Sequence, residues 1–369
     1  MGAKVFTLDT KAGIQRDGTV FDMNFYTDGL WVRFQRSRPR KIGGYRVISD
    51  QLTGPSRGIW LNPQDAFTSI FSGYNNGLQV LTIDNNGVGA GVSDFSLTNF
   101  TASNLNLWQF DGFYDVSGSG LQTLVAHPGQ NLASISSETN TPVLIGGITS
   151  SSMSQIGVFT DVGTTTAFAN TITLAATNTL IGAGQTITGT GIPANTTVVS
   201  VSTTTVTISN NATASGSVTL TFNNNISVSG GVVSLHPYLF VYGNNGLIQN
   251  CAAGNTNDWV SADANATNAA SGKIVQGLPV RGGSNAPSGL FWSLDSLIRV
   301  SYIGGTGTPP QYWRYDIITS QSSILSSQSA IEYDGVYYWC GVDRFLMYNG
   351  VATMPSSTTC VRTLGMTLA

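Results

Sequence analysis

Alternation of apolar and polar residues with a period of two is the dominant pattern in this chain, and that period belongs to β-strands. Leu30, Val32 and Phe34 alternate with Trp31, Arg33 and Gln35, which predicts a strand with one apolar face. Asp28-Gly29 reads as a turn before it, and Pro39 is expected to end it, because proline has no N–H for a ladder. Gly43-Gly44 permits a bend before residues 45–48. Further short strands are predicted over 58–61, 67–71, 77–83, 104–110 and 121–126. Asn76-Gly77, Asn86-Gly87 and Asp111-Gly112 are read as the turns between them. Strands of this length between regular turns define a sandwich, a barrel or a propeller.

Three later segments repeat the style. Residues 236–249 echo 71–80, both built around Asn-Asn-Gly-Leu, and 289–302 and 331–350 are rich in aromatic residues. The last reads as strand, turn, strand, with a tight turn near residues 341–343. Aromatic-rich hairpins recurring about every forty residues are the pattern of propeller blades. The expected fold is therefore all-β, a β-propeller of about five or six blades.

Between about 160 and 222 the aromatics almost vanish and Thr, Val, Ile, Asn and Gly dominate. Clean alternation in residues 205–208 and 218–222 predicts a separate small sheet with one buried face. The organisation that follows is an N-terminal arm with a basic stretch (1–49), a first part of the propeller (50–155), an inserted small β-sandwich-like domain (156–226), a second part (227–350) and a C-terminal tail (351–369).

Composition sharpens this picture. Only 9% of the residues are charged, yet 41% are hydrophobic and 10% aromatic, which excludes a disordered chain. Its 369 residues suffice for more than one domain. Cys251, Cys340 and Cys360 are widely spaced and odd in number, so they read as free thiols rather than a disulfide frame or a zinc site. No segment reads as a signal peptide or a membrane span.

The positive charge is concentrated at one end. Residues 1–60 hold ten of the 16 Lys and Arg and five of the 19 Asp and Glu. From Gly58 to Gly272 there is no Lys or Arg at all. Arg33, Arg36, Arg38, Arg40, Lys41 and Arg46 fall within fourteen residues, with Asp28 the one acid nearby. Such a cluster, expected on a strand end and the adjacent loop, points to an acidic partner, either nucleic acid or an acidic protein surface. The plainer alternative is a solvated loop that protects an edge strand from aggregation.

Residues for catalysis are sparse. His127 and His236 both precede proline and read as turn histidines. Glu138 and Glu332 are the two glutamates, and Glu332 with Asp334 fits a hairpin turn better than a glycosidase carboxylate pair. No nucleophile elbow or phosphate loop occurs. Residues 84–88, Asp-Asn-Asn-Gly-Val, lack the remaining carboxylates of a calcium loop and read as a type I′ turn. The expectation is a non-enzymatic protein with no metal and no cofactor.

The run Gly29-Leu-Trp-Val-Arg-Phe, continued by Arg38-Pro-Arg-Lys-Ile-Gly-Gly-Tyr45, resembles the N-terminal signature of the tail nozzle proteins of short-tailed bacteriophages, also called packaged-DNA stabilisation proteins. Residues 182–222 resemble a small all-β module inserted in many phage structural proteins. The first resemblance covers residues 1–60. It implies a virion protein assembled in the host cytoplasm, which forms a homo-oligomeric ring, by analogy a hexamer, at the distal end of the tail. Its partners would be an adaptor ring on the portal side, tail fibres or tip proteins, and the host envelope, with genomic DNA passing through without specific binding. The basic residues named above would dock it to the adaptor. The rival functions are a propeller adhesin or lectin that binds a cell-surface glycan and a propeller hydrolase, which would need a carboxylate or histidine constellation that these residues do not form.

Overall fold

The computed structural model describes residues 11–16, 25–45, 47–63, 67–96, 107–115, 120–126, 132–136, 154–226, 228–281, 287–342 and 344–349. Arg46, His127, Glu138, Cys360, most of the leader and the C-terminal tail lie outside them. The chain divides into two compact units, residues 1–48 and 49–369.

The fold is all-β. In the larger unit, five antiparallel meanders follow one another, each of the kind that makes a propeller blade. The first comprises Gly58–Pro63, Phe67–Tyr74, Gly77–Asp84 and Gly89–Asp94. The second comprises Gln109–Asp115, Gly120–Ala126, Leu132–Ser136 and the short Ser154–Gln155. The third runs from Gly231–Leu235 through Tyr238–Tyr242 and Leu247–Asn250 to Asn265–Asn268. The fourth comprises Ile274–Pro279, Ser288–Ser293, Leu297–Thr306 and Gln311–Thr319. The fifth has three strands among the described residues, Ala330–Tyr333, Val336–Cys340 and Phe345–Asn349.

The first four blades meet through their first strands, and aromatic residues fill the seams between the later blades. Trp292 of the fourth blade lies 5.6 Å edge-on from Trp339 of the fifth, and both are buried. Trp313 of the fourth meets Phe240 and Tyr238 of the third at 4.8 and 4.9 Å, again edge-on. A buried aromatic removes about 150–250 Å² from water, a gross stabilisation of about 4–6 kcal/mol at 25 cal/mol per Å². Few charges are needed when so much surface of this kind is available.

The echo between residues 71–80 and 236–249 falls on equivalent places. Each Asn-Asn pair connects the second and third strands of its blade.

Three turn readings need correction. Asp111-Gly112 sits inside the strand Gln109–Asp115, because the Asp111 carboxylate takes N–H groups from Gly112 at 2.8 Å and from Ser234 of the next blade at 2.6 Å. The Asp84–Val88 loop is not type I′: Gly87 has a φ of 72° but Asn85 and Asn86 do not share the positive region. Asp84 Oδ1 instead accepts from the amides of Asn86 and Val88, at 3.0 and 2.6 Å, which makes a type I-like turn closed by a left-handed glycine. Asp28-Gly29 forms no hairpin turn. Asp28 accepts from the Gly29 amide and pairs with Arg16 at 3.1 Å.

Residues 158–223 form a separate six-stranded antiparallel sheet with the order Thr186–Gly189, Gly216–Asn223, Val158–Thr165, Thr171–Leu174, Thr205–Ile208, Val198–Ser202. It is a single sheet with one buried face, as the alternation predicts, but it curls towards a barrel where a β-sandwich-like domain was expected. The two edge strands approach each other at Thr186 and Thr197, where Ile187 N–H donates to Thr196 O at 3.0 Å and Val198 N–H to Gln185 O at 2.8 Å. Rolling up lets the alternating Ile172, Leu174, Ile187, Val206, Leu220 and Phe222 share one interior.

Candidate functional site

The basic stretch folds as a two-stranded hairpin, Val32–Gln35 against Arg38–Lys41. Arg36 and Ser37 form its two-residue turn, with φ of 49° and 61°. Both are positive, as a type I′ turn requires, although neither is glycine. Pro39 does not end the strand. It stands in the second strand opposite Phe34. Ile42 N–H bonds Trp31 O at 2.8 Å, and bonded pairs alternate from there. Phe34 and Pro39 thus fall at a non-bonded pair, where a missing N–H costs the ladder nothing.

The register sorts the side chains. Val32 pairs with Lys41, Arg33 with Arg40, and Gln35 with Arg38. Residues directly opposite share a face, so Arg33, Arg38, Arg40 and Gln35 lie on one side and Val32, Phe34, Pro39 and Lys41 on the other. The first side is exposed throughout. Tyr26 packs on Phe34 on the second, with ring centroids 5.5 Å apart. The sequence places the basic residues on a strand end and a loop, whereas the structure puts Arg33, Arg38, Arg40 and Lys41 in the strands and Arg36 in the turn. Among the described residues, no carboxylate pairs with any of the five. Arg33 and Arg40 face each other at about 5 Å between Cβ atoms, which is a repulsive placement for like charges. Asp28, the acid nearest in sequence, is committed elsewhere. The Gly29 N–H and then Arg16 hold its carboxyl below the usual carboxylate range.

An apolar component of this site is less visible in the sequence. Leu30 was expected on a buried face, but it is 78% exposed, and Trp31, Tyr45 and Val47 are exposed as well. A two-stranded ribbon has no second layer on which to bury them. Trp31 and Tyr45 lie against each other, centroids 5.6 Å apart, with both rings still largely in solvent. The unit thus offers an unpaired arginine face together with exposed aromatic and aliphatic side chains, the combination that protein interfaces favour.

The remaining candidates are placed as follows. His236 is exposed in the turn between the first two strands of the third blade. Glu332 Oε1 accepts from the Gly335 amide at 2.8 Å and closes the Asp334-Gly335 turn, with Arg281 at 3.7 Å from Oε2. Cys251 is buried, with its Sγ accepting the Leu239 N–H at 3.3 Å, and Cys340 is half-buried; neither forms a disulfide among the described residues. Among the described residues no cluster of His, Cys, Asp and Glu could hold a metal ion, and no helix is long and apolar enough to cross a membrane.

No family model and no curated protein matches this sequence. Among solved structures, the chain is similar to the phage phi92 endosialidase at 13% identity and a TM-score of 0.29. The match covers 84% of this chain and 56% of that one, so the chain spans just over half of its length. Superposition at that level does not amount to a shared fold.

Proposed function

We propose that this chain is a virion structural protein, the nozzle of a short phage tail, and that the arginine face of the hairpin docks it to an acidic adaptor ring. The observation that carries the reading is the Arg33, Arg38 and Arg40 face, which has no carboxylate partner among the described residues and lies in the same small unit as exposed Leu30, Trp31, Tyr45 and Val47. Like charges held in register repel one another until a partner supplies the opposite sign. The apolar neighbours favour a protein over nucleic acid as that partner, because phosphate binding has no use for exposed Leu and Val.

The body of the chain suits the rest of the role. A channel through which DNA slides must not grip phosphates, and grip comes from cations that displace counterions. The stretch from Gly58 to Gly272 offers none. In this reading copies of the chain close into a ring at the tail's end, retain the genome and later release it.

The test is binding of the purified chain to the adaptor protein encoded beside it. Replacing Arg33, Arg38 and Arg40 together by Gln removes three exposed ion pairs of ~0.5–1 kcal/mol each and is expected to weaken binding about 10- to 100-fold at physiological salt. Binding that is unchanged and insensitive to salt would overturn the assignment.

A further inference from the structure

A cleft of about 340 Å³ opens on the larger unit between the outer strands of the third and fourth blades. Asn265 and Thr267 line it from Asn265–Asn268, and Gln311, Tyr312, Trp313 and Tyr315 from Gln311–Thr319. Strand periodicity explains all of these strand residues but Tyr312. Asn265 and Thr267 alternate onto the inner face of one strand, as Gln311, Trp313 and Tyr315 do on the other. The volume lies at the lower end of the range of about 300–1,000 Å³ typical of small-molecule sites.

The lining is aromatic and amide-rich, and it carries no charge. Arg314, on the opposite face of its strand, is exposed and paired with Asp316 at 2.8 Å. Asp263, just outside the cleft, accepts the Ala253 N–H at 3.1 Å. Within the cleft the hydrogen bonds are long. Asn265 Nδ2 reaches both the Tyr315 hydroxyl and Thr267 Oγ1 at 3.4 Å, beyond the usual range for such bonds. One amide is shared between two distant oxygens, so these groups retain capacity for a better-placed partner. Burial pushes the Tyr315 phenol up to about 12, which keeps it a neutral donor across the physiological range. Tyr312 and Tyr315 are half-buried and leave part of their surface at the cleft. Trp313 is buried in the seam behind them, and its indole N–H has no hydrogen-bond partner among the described residues.

We propose that this cleft binds a neutral carbohydrate. A sugar ring has an apolar C–H face that suits an aromatic wall and hydroxyl groups that both donate and accept, as the Asn265 and Gln311 amides and the Thr267 and Tyr315 hydroxyls require. The lack of any cation in the lining disfavours sialylated or sulfated glycans. The site is independent of the docking hairpin, lies in a different unit, and does not depend on the nozzle reading.

The experiment is titration of the full chain with a panel of neutral oligosaccharides containing glucose, galactose, mannose or N-acetylglucosamine, and with sialylated and sulfated counterparts, followed by calorimetry. At least one neutral sugar is expected to bind with a Kd of ~0.01–1 mM, as suits a shallow open cleft. Gln311→Ala should weaken it about tenfold with the melting temperature unchanged. Tyr312→Ala should weaken it about as much but also lower the melting temperature, because the ring packs on the core, and Asn265→Leu should weaken it while removing the long bond to the Tyr315 hydroxyl. Failure of every neutral sugar to bind at millimolar concentration, binding confined to acidic glycans, or binding indifferent to all three variants would each overturn the proposal.

Discussion

The Asp111 carboxylate of the second blade accepts the Ser234 N–H of the third at 2.6 Å, across a sequence separation of 123 residues. The six-stranded sheet lies within that interval, and this bond joins first strand to first strand as though the insertion were absent. Desolvation is the larger influence on the carboxyl and pushes it up to about 6, against the opposing hydrogen bonds from Ser234 and Gly112.

Asp111 therefore sets a pH dependence of unusual sign for an acid. Its folded pKa lies above its unfolded value, so its ionisation opposes folding, and stability falls as pH rises from about 4 through 6. Asp111→Asn keeps an acceptor for Ser234 and cannot ionise. The variant is expected to melt at or above the wild-type temperature at pH 8 and to lose that advantage at pH 4. Thermal unfolding at the two pH values checks it.

The close approach of Gly73 to Trp108 makes a second prediction. A Cβ built on Gly73 would stand 2.1 Å from Trp108 Cγ, and the indole is fixed there by Nε1 donating to Tyr74 O at 2.9 Å. Gly73→Ala should cost about 1–3 kcal/mol by overpacking, seen as a lower urea midpoint at unchanged slope. Gly43→Ala, which meets nothing within 4 Å, is the matching control.

The inserted sheet begins and ends at one place. Val158 and Asn223 are strand partners, and Asn224 N–H returns to Gly157 O at 3.0 Å. Replacing residues 158–223 by a short Gly-Ser linker should leave the blades folded, with their near-ultraviolet aromatic spectrum retained. Loss of cooperative unfolding in the excised chain would show that the blades depend on the insertion, through contacts such as Gln185 Nε2 to Asn224 Oδ1 at 2.7 Å.

At the hairpin tip, Ser37 holds a φ of 61° that glycine adopts at lower cost. Ser37→Gly should stabilise the hairpin by up to about 1 kcal/mol and slow amide exchange at Arg33 and Arg40, the neighbouring bonded pair. Ser37→Pro, whose φ is fixed near −65°, should open it.

Much of this fold was legible in the sequence because period-two alternation and Asn-Gly turns are local signals. The strands over 58–63, 67–74 and 77–84 lie where those signals put them. What misled is equally physical. Asp111-Gly112 looks like a turn until Ser234 supplies a distant donor, and Pro39 looks like a terminator until the register puts it at a non-bonded pair. Whether Thr186 meets Thr197, and so whether the insertion rolls up or stacks, is a long-range matter that alternation does not encode. The basic residues were evident as a cluster. Their division into an Arg33, Arg38 and Arg40 face, with Lys41 behind, needed the pairing of the two strands. The cleft between Asn265 and Tyr315 joins residues fifty positions apart and had no sequence motif.

The most direct test of the docking account is the mass of the protein in solution by light scattering, alone and mixed with the products of the genes flanking its own, at low and high salt. The account predicts a closed ring that forms only with the adaptor partner, dissolves as salt rises, and fails when Arg33, Arg38 and Arg40 are replaced by Gln. A mass that stays the same with every partner, or a ring that forms equally well without the three arginines, would contradict it.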